Sequence, residues 1–198
     1  MAYRSNPVKA ALLVIDVQHD FCEGGVLEAQ LTSTLIDPLN RLVDSCAAAE
    51  IPVIFTRDWH PPDHSSFISQ GGPWPPHCVS NTRGAEFAAG LCVPSTAIII
   101  NKGVATDDDG YSMFDRTNLT DTLETLGLTE LAVCGIAAEY CVLESVRDSR
   151  RRHFRTIVLE DLVRAIEVRP GDVDRAFGEM RNLGAVLSTS DQWITTAR

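Results

Sequence analysis

A chain of 198 residues with 44% hydrophobic and 22% charged residues has the balance of one soluble globular domain, expected to span 1–198. Its formal charge of -10 argues against a nucleic-acid partner, which would need a basic face. The first apolar run, residues 11–15, is too short for a membrane span or a secretory signal, and the six cysteines form no CxxC pair. The expectation is a cytoplasmic protein with reduced thiols and no membrane partner, its oligomeric state left open.

Short apolar runs recur along the chain at 11–15, 53–55, 97–100, 131–133, 156–159 and 185–187. They are continuous rather than alternating, as in strands buried on both faces of a parallel sheet. Helical patterns are predicted between them at 33–49, 115–126, 139–151 and 170–183. In the first of these, Leu35, Leu39, Leu42, Val43 and Cys46 recur at helical spacing. Alternating strand and helix predicts an α/β, doubly wound domain. The segment 59–83 breaks the rhythm, holding five of the ten prolines and the Gly71-Gly72 pair. Loops of that length in compact domains are often functional, and Trp59, Phe67, Trp74 and Val79 argue against a disordered insertion.

In doubly wound sheets, ligands bind beyond the carboxyl ends of the strands. The residues closing the first four runs are Asp16, then Asp58 with His60, then Lys102, then the stretch from Gly135 to Cys141. Each alone is weak, and a lone Asp there is more often a turn or cap residue. Four strands delivering an acid, an Asp-x-His, a lysine and a cysteine to one edge are harder to dismiss.

Cys141 is the candidate nucleophile. Small residues from Gly135 to Ala138 permit a tight strand-to-helix turn, which puts Cys141 in a first helical turn near free N–H groups. That position is expected to favour a thiolate. Lowering a thiol from its usual pKa of ~8.5 by two units needs roughly 2.7 kcal/mol. A helix terminus supplies only about 0.3–1 kcal/mol, so a base or cation should stand beside the cysteine. Asp16 and Lys102 are the candidates. The alternative role, a buried structural thiol, is assigned to Cys46, Cys92 and Cys134.

Asp58, His60 and a second histidine offer a donor set for a divalent metal with open positions, for which zinc, iron and manganese all qualify. Spacing does not choose between His64 and His77. His19 and His153 read as ordinary surface histidines.

The stretches around Asp16-Val17-Gln18, Asp58-Trp59-His60, Trp74-Pro75-Pro76-His77-Cys78, Gly84-Ala85-Glu86-Phe87, Lys102-Gly103, Tyr111-Ser112-Met113-Phe114 and Gly135 to Val142 resemble, in order, those of nicotinamidases. These belong to the isochorismatase-like cysteine hydrolases. The resemblance implies a six-stranded parallel sheet with helices on both faces. It implies a catalytic triad of Asp16, Lys102 and Cys141, and a metal, zinc first, on Asp58, His60 and His77. It also implies a cis Ile136–Ala137 bond that aims the Ala137 and Cys141 N–H groups at an oxyanion. Phe21 and Trp74 would sandwich a pyridine ring and Tyr111 would line its pocket, so the implied partner is a small aromatic amide. Two departures stand out: Ala138, where many nicotinamidases carry Thr, and Met113, where Ala or Gly is common and which is expected to reshape the pocket. The rival expectations are a hydrolase of the same fold acting on an N-carbamoyl or ureido compound, and a non-catalytic binding protein.

Overall fold

All six apolar runs become strands of one parallel sheet in the computed structural model, which describes residues 9–197. The outermost ends of the expected 1–198 span, residues 1–8 and 198, lie outside the described residues. The strands are β1 (Ala10–Ile15), β2 (Val53–Asp58), β3 (Ile98–Lys102), β4 (Glu130–Ile136), β5 (Arg155–Arg164) and β6 (Val186–Ser188). Their order is β3-β2-β1-β4-β5-β6. The chain thus builds outward from β1 through β2 to β3, then crosses back to place β4 on the other side of β1. The crevice for a ligand opens where the order reverses, between β1 and β4.

Helices α1 (Ile36–Ala48) and α5 (Ser190–Thr196) cover one face; α2 (Leu119–Thr125), α3 (Leu143–Arg151) and α4 (Asp172–Asn182) cover the other. β1 is buried along its whole length, as a central strand must be. Its side chains alternate: Leu12 and Val14 pack under α1 and α5, while Ala11, Leu13 and Ile15 pack with the other three helices. Helix α1 buries Leu39, Leu42, Val43 and Cys46, which is one helical stripe. Each large apolar side chain so buried is worth roughly 1.5–3 kcal/mol. Among the described residues, no helix is long and apolar enough to cross a membrane.

The structure moves several expected boundaries, each for a visible reason. All four predicted helices start later than expected, α3 because a π turn at 138–142 precedes it and the other three just after a residue or turn in a left-handed conformation. Leu31 (φ 58) precedes the turn before α1, Arg116 (φ 49) interrupts the stretch before α2, and Gly171 (φ 86) caps α4. Strands β2 and β3 run on to Asp58 and Lys102, which pair in register, so the polar site residues belong to the strands themselves. Helix α5 is not among the predicted elements. It is only 7 residues long, capped by Thr189, whose side chain accepts the Gln192 N–H.

The long segment 59–83 is ordered. It is stitched by bridges between His60 and Val79 and between Phe67 and Trp74, and Phe67 is fully buried.

Candidate active site

Strand ends deliver the site. Asp16 follows β1 directly, fully buried and at φ 50, an uncommon conformation for a residue with a side chain. Thr56 of β2 grips it twice. The Thr56 carbonyl accepts the Asp16 N–H at 3.2 Å, and the Thr56 hydroxyl donates to Asp16 Oδ1 at 2.7 Å. Gln18, also fully buried, clamps Asp58: its Nε2 donates to the Asp58 carbonyl at 2.8 Å and its Oε1 accepts the Asp58 N–H at 2.8 Å.

Lys102 closes β3 with no exposed surface. Its Nζ donates to Asp58 Oδ1 and the Gly110 carbonyl, both at 2.5 Å, and to Cys141 Sγ at 3.3 Å. Those three bonds use all its protons. Asp16 Oδ2 lies 2.8 Å from the same nitrogen as an ion-pair partner, yet receives no aligned hydrogen bond. The ammonium therefore fills the centre of the acidic trio Asp16, Asp58 and Cys141, whose donor atoms lie within 4.8 Å of one another.

Gly135 explains how β4 comes close enough to join this group. It sits at φ 117, and a Cβ there would stand 2.0 Å from the Ile15 carbonyl oxygen. The next peptide, Ile136–Ala137, is cis. The chain then enters a π turn, Ala138–Val142, ahead of α3. The Tyr140 and Val142 N–H groups both donate to the Ala137 carbonyl, each at 3.1 Å, whereas the Cys141 N–H between them does not. Wide turns of this kind recur at functional sites.

The charges follow from burial. Burial pushes the Asp16 carboxyl up to about 6 against the pull of Lys102. It acts on Asp58 in the same sense, but there Lys102 and His60 win and hold the carboxyl well below the usual range. Burial disfavours the Lys102 ammonium, yet Asp16 and Asp58 outweigh it and keep the group protonated. The Cys141 thiol is pushed well above its ordinary value by burial, with Lys102 opposing. Against the expectation of a thiolate-favouring position, desolvation here exceeds the opposing pull of Lys102.

Asp58 also faces the second constellation. Its Oδ2 lies 3.6 Å from His60 Nε2, and donor atoms of Asp58, His60 and His77 lie within 4.8 Å of one another. His60 Nδ1 donates to the Gly103 carbonyl at 2.9 Å, and His77 Nδ1 to the Pro75 carbonyl at 2.8 Å. A carbonyl can only accept, so the proton sits on Nδ1 and Nε2 keeps its lone pair for a ligand. Gly103, at φ 60, is needed here because a Cβ would meet His60 Cε1 at 2.4 Å. His64 stays outside this trio; it stacks on His60 with ring centroids 4.1 Å apart and bonds Ser66 Oγ through Nδ1.

A pocket touches both constellations. Asp58, His60, His77, Ala137 and Cys141 reach it, and Phe21, Trp74, Tyr111, Tyr140, Leu27 and Ile166 form its apolar walls. Trp74 Nε1 donates to the Tyr111 hydroxyl at 2.8 Å, and Tyr140 packs edge-on against Trp74. The structure thus brings Asp16, Lys102, Cys141, Asp58, His60, His77, Phe21, Trp74, Tyr111 and Ala137 to one place. Met113 is a correction: it is fully buried in the core on the far side of the sheet from α1, and lines no part of the pocket. Cys92 is another, being exposed rather than a buried structural thiol. Thr56, Tyr140, Leu27, Ile166 and the clamp made by Gln18 were missed. Gln18 and Tyr140 lie inside stretches that carry the family resemblance, whereas Thr56, Leu27 and Ile166 leave no signal in the sequence.

Comparison with known proteins bears on the same arrangement. The Isochorismatase domain family matches residues 10–192. The nicotinamidase of Escherichia coli is 36% identical over 207 residues, covering 94% of this chain and 97% of that protein. The nicotinamidase/pyrazinamidase of Mycobacterium tuberculosis is 36% identical, with 91% and 98% covered. Among solved structures, the pyrazinamidase of Pyrococcus horikoshii in complex with zinc superposes with a TM-score of 0.87 at 38% identity, covering 91% of this chain and 99% of that one. The chain therefore belongs to the isochorismatase-domain family.

Proposed function

We propose that the protein hydrolyses nicotinamide to nicotinate and ammonia, with Cys141 as nucleophile, Asp16 as proton carrier and Lys102 as the charge that steadies both. The observation that carries this reading is the meeting, in one aromatic-walled pocket, of the Cys141–Lys102–Asp16 group with the Asp58–His60–His77 donor set. The names of the relatives support it.

The thiol rests protonated, so its proton must leave as the sulfur attacks. Asp16, with its carboxyl near 6, is basic enough to take that proton and acidic enough to return it. Attack forms the C–S bond and moves charge to the carbonyl oxygen, where the Ala137 and Cys141 N–H groups would receive it. The C–N bond then breaks; the amine takes the proton from Asp16 and leaves as ammonia. Water, deprotonated by Asp16, hydrolyses the thioester, releases nicotinate and restores the thiol.

Asp58, His60 and His77 fit a divalent ion, because both histidines present Nε2 lone pairs beside an ionised carboxylate. Zinc is proposed, in keeping with the zinc complex of the similar pyrazinamidase. A bound ion would supply a Lewis-acid partner for the ring nitrogen of the substrate. Phe21, Trp74 and Tyr111 would hold the ring.

The test is turnover of nicotinamide and pyrazinamide against N-carbamoyl amino acids. Nicotinamide should win in kcat/KM by at least about 100-fold, since a donor set left without its ring nitrogen is penalised. Preference for an N-carbamoyl compound would move the protein to another branch of its family.

A further inference from the structure

A carboxylate has two oxygens, and a base must present the right one. In Asp16 the two are treated differently. Oδ1 accepts the Thr56 hydroxyl at 2.7 Å, in a place where neither residue has any exposed surface. Oδ2 has no such hydroxyl partner: it lies 2.8 Å from Lys102 Nζ as an ion pair, while that nitrogen donates to Asp58, Gly110 and Cys141. A ligating oxygen of Asp16 also lies within 4.8 Å of Cys141 Sγ.

We infer that Thr56 is a positioning residue for the reaction, occupying Oδ1 so that Oδ2 of Asp16 receives the Cys141 proton. The inference rests on the functional reading above. In this step the proton passes from Sγ to Oδ2, and the S–H electron pair stays on sulfur to form the bond to the substrate carbonyl carbon. Thr56 is suited to the task. Its own carbonyl holds the Asp16 N–H, so backbone and side chain are gripped by one residue. Its β-branched side chain is stiff at χ1, which limits the hydroxyl to few directions. Without the hydroxyl, the carboxylate is free to turn and a buried oxygen loses its partner.

The same bond is one of several influences on the Asp16 carboxyl. Asp16 is faced by Lys102 from β3, by Asp58 and Thr56 from β2, and by Cys141 from the π turn. The Thr56 bond favours the ionised carboxylate.

The experiment compares Thr56→Val, Thr56→Ala and Thr56→Ser with the wild type. It measures kcat and KM for nicotinamide and the rate of Cys141 alkylation by iodoacetamide. Both variants without a hydroxyl should lose about 10–100-fold in kcat with KM within about threefold, the loss of one hydrogen bond to a charged group. Alkylation should slow in parallel, and Thr56→Ser should recover to within about threefold. A wild-type kcat in Val or Ala, or a Ser variant as slow as Val, overturns the inference by assigning Thr56 to packing alone. Alkylation that responds as expected in a protein releasing no ammonia would sink the proposed substrate and leave the positioning role standing.

Discussion

At the level of single residues, desolvation governs this site. Burial raises the Asp16 carboxyl from 3.8 to about 6, and the proposed base works only when ionised. Nicotinamide kcat/KM should therefore rise about tenfold per pH unit below 6 and level off above it, and Asp16→Asn should remove the limb along with at least about 10³-fold of kcat. The stability linkage has the opposite sign. Neutral Asp16 favours the fold fully below pH 3.8, and that contribution is lost as pH rises through about 6. Urea melts between pH 4 and 7 on wild type and Asp16→Asn will show whether the difference between them changes across that window. The histidines give a second residue-scale prediction. His77→Ala leaves two of three proposed ligands, so zinc bound after dialysis should fall from about one per chain to near zero. Zinc retained at wild-type level would place the ion elsewhere.

Secondary-structure elements explain how distant residues reach this geometry. The parallel register pairs Asp58 with Lys102, and the reversal of strand order sets Asp16 beside the end of β4. Much of this was legible in the sequence, because six continuous apolar runs and the polar residues closing them are local signals. What was not legible depends on partners far along the chain. Thr56 reads as an interior strand residue until Asp16 is seen above it. Gln18 reads as one polar residue until its clamp on Asp58 closes. The thiol's direction is not legible either, because helix position is visible in a sequence and burial is not. Gly135 tests the element-scale account. Gly135→Ala forces a methyl against the Ile15 carbonyl and an unfavourable φ, so it should cost several kcal/mol and yield little soluble protein. A variant as stable as wild type would show that β1 and β4 need not approach so closely.

Across the whole molecule, two apolar layers hold the sheet edge that carries the site. Trp193 of α5 is the largest fully buried side chain; it packs in the α1 layer, and its Nε1 donates to Glu130 Oε1 at 3.1 Å. Glu130 opens β4, at the end of that strand away from the pocket. Trp193→Ala should therefore lower stability by about 3–5 kcal/mol while the remaining folded protein keeps its Cys141 alkylation rate, read by melting and by mass spectrometry. Function, by contrast, hangs on one sulfur placed where four strand ends converge. The most direct test is ammonia release from nicotinamide by purified wild-type protein and by Cys141→Ala, with matched melting curves. The account predicts steady release by the wild type and a loss of at least about 10³-fold in the variant at unchanged stability. Release by Cys141→Ala at the wild-type rate, or none by the wild type loaded with zinc, would contradict it.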